Sequence, residues 1–357
     1  MEIGTSSRKS LHLHEEIIEE EILPRLPVKS LLRFRCVSKS WGSLIGSKRF
    51  IKKHHQNSKN NPSFPQQSII IYTYLHEWPH QCSLLSALSG PTNTIPSSPL
   101  ADPTNTTVTS FKIEGCCHGL LCILEEVDEE QIQFHLLNPS TRISKKLPEI
   151  SNSGFVYNFG FGWVESSDEY KVFVSLVDRR NNFRGCKVYS SKTKSWNTIE
   201  LCAGVVLCRS MRVFAGGKLY WKNEDETFIT FMDLKSEVFG MIELPFDHEE
   251  GVLGGFLCVL CYVNFPNKRG FRVWVMQESW EKVMTLDQLL ELLQPVPLVV
   301  GLKGEILVNC GSFVMVYDRR DNVFRDLKYC EGSCCLGFYT GADPGILLGG
   351  PEIFFGI

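Results

Sequence analysis

Residues 25–41 read RLPVKSLLRFRCVSKSW. From Pro27 onward, large apolar side chains recur at steps of three and four residues, which places them on one stripe of a helical segment: Leu31, Phe34, Val37, Trp41 and Leu44. Basic residues fall on the opposite stripe: Arg33, Arg35 and Lys39. A helical block of roughly 45 residues buries too little surface to be securely stable alone. The apolar stripe therefore predicts packing against another protein.

The segment before this stretch carries a second helical pattern. Over 13–23 it places Ile18, Ile22 and Leu26 on one side, with an acidic run around the rest. Residues 1–10 are polar, and we expect them to be disordered. The sequence thus predicts a helical domain over 11–54, followed by an Asn-, Pro- and Gln-rich linker over 55–68.

Length and composition fit a soluble chain of one or two folded units, since 357 residues are 43% hydrophobic and 22% charged. Charge is uneven. Residues 1–60 hold 12 of the 37 basic and 6 of the 40 acidic residues, a net charge of +6, which leaves 25 basic and 34 acidic residues, −9, for the rest. The basic residues share helices with an apolar stripe and lack an interleaved aromatic platform, so we expect no nucleic-acid partner.

The fourteen cysteines are expected to stay reduced, because no N-terminal stretch combines a basic flank with an apolar run as a secretory signal does. The pair Cys258 and Cys261 lies in a strand pattern, where residues three apart face opposite sides and do not readily share a zinc ion. The longest apolar run, 251–263, is too short for a membrane-spanning helix. We expect no metal, no cofactor and no membrane association.

The body of the chain repeats a strand, a polar turn and a strand. An anchor residue is followed at three, six and nine places by the same kinds of residue: Asn138, Thr141, Ser144, Leu147; Ser190, Thr193, Trp196, Ile199; Asp233, Ser236, Phe239, Ile242; Asp318, Asp321, Phe324, Leu327. Counting a looser copy from Trp274, the anchors stand 52, 43, 41 and 44 residues apart. Each copy predicts two strands joined by a turn, with an aromatic residue holding the second strand.

A glycine leads an apolar strand before most anchors: Gly119, Gly217, Gly255 and Gly304. A period of about 40 to 50 residues with several strands per unit is typical of a β-propeller blade. Residues 69–330 then predict about six blades, with an array of β-sandwiches as the alternative. Residues 89–110 are predicted to be a long loop, and residues 331–357 are an atypical tail that does not continue the pattern.

Residues 26–41 resemble the F-box of plant F-box proteins nearly residue for residue. Further motifs resemble the F-box-associated, kelch-related domain that follows it in that family: 115–122, 137–142, 159–162 with 168–172, 188–196, and 273–276 with 278–280. The similarity spans about residues 13–330. These motifs, in this order behind an F-box, make a specific combination.

This resemblance implies an α+β multidomain chain, with a small N-terminal helical F-box before an all-β domain. It implies the substrate-recognition adaptor of a cullin-based, SCF-type ubiquitin ligase, whose F-box docks an Skp-type subunit while the β domain binds a protein target. Neither a catalytic role nor a cofactor is implied, and the cytoplasm or nucleus is the expected location. By position, the adaptor-facing residues are Leu13, Ile17, Ile18, Ile22, Leu23, Pro27, Leu31, Leu32 and Trp41, some of which must instead hold the helical block together.

Two departures from the family pattern concern the first helix and the tail. His14 stands where the family has proline, and the acidic run is one residue longer, so the first helix is expected to be irregular.

The target stays open, because S-locus F-box proteins and receptors in defence and hormone signalling share this architecture. The competing class is an enzymatic or ligand-binding kelch-like propeller without a ligase role.

Overall fold

The computed structural model of the chain describes residues 15–26, 28–60, 68–75, 78–86, 97–99, 111–117, 120–128, 131–138, 143–150, 155–178, 182–201, 212–222, 228–244, 248–253, 256–265, 268–277, 279–286, 296–300, 306–309, 314–318, 323–326 and 336–341. The predicted disorder of 1–10 lies outside these residues, as do Leu13 and Pro27.

The described chain begins with four helical elements. Helix α1, Glu15–Ile17, continues as a π-helical turn, Ile18–Ile22, and a 3-10 turn, Leu23–Arg25, and is followed by α2, Val28–Phe34, α3, Lys39–Ile45, and α4, Lys48–Asn60. Two serines begin the later helices. The side-chain oxygen of Ser38 accepts the N–H of Trp41 at 3.1 Å, and that of Ser47 accepts the N–H of Phe50 at 3.2 Å. Helix α4 runs to Asn60, so the first six residues of the predicted linker are helical.

Strands make up the rest of the described chain. They are β1 Ser68–Leu75, β2 Trp78–Ser86, β3 Ser97–Pro99, β4 Phe111–Cys117, β5 Leu120–Asp128, β6 Gln131–Asn138, β7 Ile143–Lys146, β8 Phe155–Val164, β9 Glu169–Val177, β10 Phe183–Ser190, β11 Ser195–Ile199, β12 Arg212–Ala215, β13 Lys218–Lys222, β14 Phe228–Asp233, β15 Val238–Glu243, β16 His248–Leu253, β17 Phe256–Phe265, β18 Lys268–Met276, β19 Trp280–Leu286, β20 Val296–Val300, β21 Ile306–Asn309, β22 Val314–Asp318, β23 Val323–Asp326 and β24 Leu336–Gly341.

These strands form six antiparallel sheets of four strands each. Five sheets use consecutive strands, and the sixth has the order β24-β1-β2-β3. One strand from each sheet contacts its counterparts in the two neighbouring sheets, in the cyclic order β4, β8, β12, β16, β20, β24 and back to β4. This closed cycle is the arrangement of a six-bladed β-propeller, which confirms the predicted fold class.

The ring closes through a strand from the predicted tail. Strand β24 pairs antiparallel with β1, from Ser68 opposite Gly341 to Thr73 opposite Leu336. A chain that joins its last strand to its first sheet closes the ring of blades and leaves only short, protected edges. Residues 336–341 therefore belong to the propeller, although their sequence does not continue the blade pattern. The predicted 89–110 loop likewise contains a strand, β3, which pairs with β2.

The repeated anchor residues organise the turns between the third and fourth strands. The Asp233 side chain accepts the N–H groups of Lys235 and Ser236, both at 2.9 Å, and the Ser190 hydroxyl accepts those two and three residues on, at 3.2 and 3.3 Å. An Asx or Ser side chain that bonds the backbone in this way favours a turn. These residue types therefore recur in the sequence because their side chains form the hydrogen bonds that hold each turn.

Close packing between sheets explains two glycines of the 159–162 motif. A Cβ added at Gly160 would lie 2.4 Å from Leu219 Cδ1, and one at Gly162 would lie 2.4 Å from the Phe214 ring. Both neighbours belong to the next sheet, so glycine is what lets β8 approach β12 and β13.

Tryptophans of the fourth strands also tie neighbouring sheets together. Trp196 Nε1 donates to the carbonyl oxygen of Pro148 at 2.8 Å, and Trp280 Nε1 donates to that of Glu243 at 3.1 Å. In both cases the acceptor lies at or just beyond the fourth strand of the preceding sheet. The repeated aromatic residue holds one blade to the next.

Candidate functional site

The extra residue of the acidic run is absorbed by the π-helical turn. The N–H of Leu23 bonds the carbonyl oxygen of Ile18, five residues back, whereas an α-helix would reach back four. A single turn of this kind accommodates an inserted residue without breaking the helix. The first helix is therefore continuous but shifted in register by one position.

This shift changes which side chains face inward. An unbroken α-helix would place Ile22 beside Ile18 and Leu26, yet Ile22 is 39% exposed while Leu23 is 1% exposed. Because the turn closes over five residues, Leu23 takes the inward position that the 3.6-residue period assigns to Ile22.

The helical domain has a compact core of its own. Leu23, Leu31, Ile45 and Phe50 are buried, with seven partly buried apolar side chains packed against them: Ile18, Leu26, Leu32, Phe34, Trp41, Leu44 and Ile51. Two of the proposed adaptor-facing residues, Leu23 and Leu31, are thus enclosed within the domain. We assign them to its core, since a side chain without exposed surface does not meet a partner.

His54 supports this core from the end of the domain. It is buried, its ring stacks on Phe50, and its Nε2 lies 2.8 Å from the Leu26 carbonyl oxygen. The bond fixes the chain where the 3-10 turn ends. The sequence pattern gave no such role to His54, because the partner lies 28 residues away.

Among the side chains of this domain that the structure describes, three large apolar ones face solvent. Ile17 is 47%, Ile22 39% and Val37 62% exposed. Ile17 immediately precedes the π-helical turn, Ile22 is its last residue, and Val37 lies between α2 and α3. A domain with a filled core has no structural need for exposed isoleucines. These side chains leave apolar surface open to a partner.

Trp41 and Leu32 lie at the margin of the core. The Trp41 ring meets the Phe34 ring edge to face, with centroids 5.9 Å apart, and both Trp41 and Leu32 are partly exposed.

An open depression of about 650 Å³ follows α2 and α3, lined by Leu32, Arg35, Cys36, Lys39, Gly42 and Ser43. Gly42 allows the close approach of these helices, because a Cβ there would lie 3.1 Å from the Arg35 carbonyl oxygen.

Glu20 fastens the π-helical turn to α4. Its carboxylate pairs with Lys53 and, at 3.1 Å, with Arg49. The hydrogen bond from Lys53, with the charges of Lys53 and Arg49, holds the pKa of Glu20 below its usual value. A neighbouring carboxylate, Glu21, pairs with Arg25. One member of the acidic run, Glu20, therefore holds in place the π-helical turn, which Ile17 precedes and Ile22 ends.

The described residues contain neither a membrane-spanning helix nor a cluster of metal ligands. None of the helices in that part of the chain is long and apolar enough to cross a membrane. The same residues contain no group of three or more His, Cys, Asp or Glu side chains able to hold a metal ion.

A small helical domain with exposed isoleucines, before a closed ring of six sheets, is the architecture of two-domain F-box proteins, a class of substrate-recognition adaptors. Comparison with known families agrees, because residues 16–53 match the F-box domain and residues 80–333 match the F-box-associated β-propeller domain. The chain therefore belongs to the F-box-associated β-propeller family of F-box proteins.

Relatives in Arabidopsis thaliana cover most of the chain. The F-box/kelch-repeat protein At3g23880 is 30% identical over 326 residues, which are 82% of this chain and 86% of the relative. The F-box protein At5g49610 is 25% identical over 94% of this chain and 96% of its own length. The similarity therefore extends across both domains.

Proposed function

We propose that this chain is the substrate-recognition subunit of an SCF-type ubiquitin ligase, which docks an Skp-type adaptor, and through it a cullin, by the F-box. The observation that carries the proposal is the exposure of Ile17 and Ile22 beside a core that is already filled. In this proposal the adaptor covers these two side chains together with Ile18, Leu32, Trp41, Leu13 and Pro27.

The propeller would hold the target, in the cytoplasm or nucleus, while the chain itself carries out no chemistry. Ubiquitin transfer is then accelerated by proximity, because a bound target presents its lysine to a charged ubiquitin-carrying enzyme in the same complex. Affinity capture from native tissue with the proteasome blocked would name the target, whether a secreted ribonuclease, as for S-locus F-box proteins, or a signalling protein.

Adaptor binding is tested by introducing a charge into the exposed apolar surface. Ile22→Asp should weaken binding to an Skp-type subunit at least about tenfold, since loss of a hot-spot residue costs about 2 kcal/mol or more and 1.4 kcal/mol is tenfold. Ile22 is 39% exposed, so the substitution spares the core. Titration calorimetry with the full chain would measure the change.

A matched control lies on the propeller. Met241 is 55% exposed, and Met241→Asp makes the same chemical change away from the F-box. It should leave the affinity within about twofold of wild type, which is about 0.4 kcal/mol. Equal effects of the two substitutions, or no binding by the wild-type chain, would contradict the proposal.

A further inference from the structure

Helix α4 holds the segment from Glu20 to Leu26 at both of its ends. At the first end, the Glu20 carboxylate pairs with Lys53 and, at 3.1 Å, with Arg49. At the other end, His54 Nε2 lies 2.8 Å from the Leu26 carbonyl oxygen. The three partners lie within about two turns of α4, so one short stretch of this helix fixes both ends of the segment.

Between these two ties lies a residue that the adaptor is proposed to cover. Ile22 is 39% exposed, whereas the next residue, Leu23, is 1% exposed and belongs to the core. Leucine and isoleucine are isomers, so the core would accept either side chain with little change in volume. Packing alone therefore gives only a weak preference for which of the two faces inward.

The backbone of this segment does not decide the choice either. Pro24 has no N–H to donate to the carbonyl oxygen of Glu20, so the α-helical ladder is interrupted where the register has to be set. The π-helical turn brings Leu23 inward, whereas an α-helical register would bring Ile22 inward beside Ile18. Because π-helical geometry is rare, contacts outside the turn must favour it here.

We propose that Glu20 is a positioning residue for adaptor docking, which fixes the register in which Ile22, and not Leu23, faces the adaptor. Its carboxylate reaches α4 from the middle of the π-helical turn, while the tie at Leu26 holds the end of the same segment. Glu20 does not need to touch the adaptor for this role. The inference deepens the proposed function, on which its biological meaning rests, by naming the residue that selects the docking side chain.

The register can be measured without the adaptor. Ile22→Cys and Leu23→Cys are introduced separately into the full-length chain, and peptide mass spectrometry follows alkylation by iodoacetamide at each position. With Glu20 in place, the thiol at position 22 should react at least about tenfold faster than the one at position 23, because a buried thiol reacts only through local opening. Glu20→Lys should lower this ratio about fivefold, since it replaces two exposed ion pairs by two like-charge contacts.

Glu21→Lys is the matched control. It makes the same charge change one residue further on, but Glu21 pairs with Arg25 of its own segment and, among the described residues, not with α4. The ratio should therefore stay within about twofold of its original value. The charge exchange E20K/K53E restores an ion pair of opposite polarity and should recover most of the ratio.

Thermal melts establish that each variant is folded. Where Leu23→Cys is not folded, the alkylation rate of Ile22→Cys alone takes the place of the ratio, and Glu20→Lys should slow it because position 22 then turns inward.

Calorimetry with an Skp-type subunit provides an independent comparison. Glu20→Lys should weaken binding about fivefold, because a smaller fraction of the chain then has the docking register. The double variant E20K/I22D should bind about as weakly as I22D alone, since both substitutions remove the same contact. A direct effect of the Glu20 charge on the adaptor would instead make the two losses multiply, to about fiftyfold.

Four results would overturn the proposal: a labelling ratio that Glu20→Lys leaves unchanged, an equal change with Glu21→Lys, no recovery by the charge exchange, and losses that multiply in the double variant. A chain that shows the labelling shift but binds no adaptor refutes the ligase role alone. A chain that binds the adaptor without a labelling shift refutes the role of Glu20 alone.

Discussion

Replacing Lys171 by methionine would test how neighbouring blades are held together. Lys171 lies in β9, and its Nζ donates to the Leu234 carbonyl oxygen at 2.8 Å and to the Glu237 carboxylate at 2.7 Å, both in the turn after β14 of the next sheet. The Lys171 side chain is 9% exposed and that of Glu237 is 29% exposed. Methionine keeps most of the aliphatic stem and removes the charge.

The expected loss of stability follows from how deeply Lys171 and Glu237 are buried. Removing one member of a fully buried pair costs roughly 3–5 kcal/mol, because the other charge is left uncompensated. The Glu237 carboxylate keeps contact with water, which reduces this cost, whereas the Leu234 carbonyl oxygen loses a charged donor worth roughly 1.5–3 kcal/mol. We expect Lys171→Met to lower the free energy of unfolding by about 2–3 kcal/mol.

Urea unfolding, followed by tryptophan fluorescence, would measure this loss for the full chain. The double variant K171M/E237Q should cost less than the sum of the two single substitutions, since both remove one interaction. Lys192→Met is the control, because Lys192 is exposed. A change below about 0.5 kcal/mol for Lys171→Met, the range of ordinary surface substitutions, would refute the reasoning.

Two further predictions concern the same sheets. Gly160→Ala should lower the free energy of unfolding by about 1–3 kcal/mol, since its Cβ would lie 2.4 Å from Leu219 Cδ1. Chemical denaturation would measure this loss. The double variant with Leu219→Val should recover part of it, because valine is smaller. Burial raises the pKa of Glu169, but hydrogen bonds from Ser190 and Ser167 outweigh it and leave the pKa below its usual 4.5. The ionised carboxylate therefore stabilises the fold, fully above pH 4.5, and this stabilisation is lost as the pH falls through the depressed pKa. In acid unfolding, the Glu169→Gln variant should not show this pH-dependent loss of stability.

The parts of the fold that sequence predicted are those governed by short-range chemistry. Asp233 and Ser190 bond backbone groups two and three residues away, so the same residue types must recur wherever the turn recurs. Glycine at 217, with φ of +78°, follows a second glycine with φ of +54° in the tight turn between β12 and β13. Such requirements leave a mark in the sequence itself.

Contacts between segments that are far apart in the chain produced no recognisable pattern in the sequence. Strand β24 pairs with β1 more than 260 residues away, and its sequence shares no anchor with the repeats. A pocket on the propeller likewise has Lys145 and Lys194 in its lining, which belong to different sheets. The glycines of 159–162 were visible as a motif, yet their purpose depends on Leu219 and Phe214 of the next sheet. Only the folded ring shows these residues together.

The proposed docking surface of the F-box could be predicted from the sequence only in part. Helical periodicity located the apolar residues but assumed a constant number of residues per turn. The inserted residue violates that assumption over Ile18–Ile22, so the pattern grouped Ile22 with Ile18 and Leu26 and could not separate the buried Leu23 from the exposed Ile22. The longer acidic run was the available signal. It indicated an irregular helix, but its resolution into a π-helical turn depends on Glu20 reaching Lys53 and Arg49, 33 and 29 residues ahead.

The two ends of this protein therefore form by different routes. The core of the F-box joins Leu23, Leu31, Ile45 and Phe50, all within 28 consecutive residues, so its contacts are local and its helices can assemble early. The propeller is complete only when β24 meets β1, which requires nearly the whole chain. Substitutions that open the ring should abolish target binding and spare the adaptor-binding surface. A chain damaged in this way would still occupy the adaptor, and we expect it to compete with intact receptors.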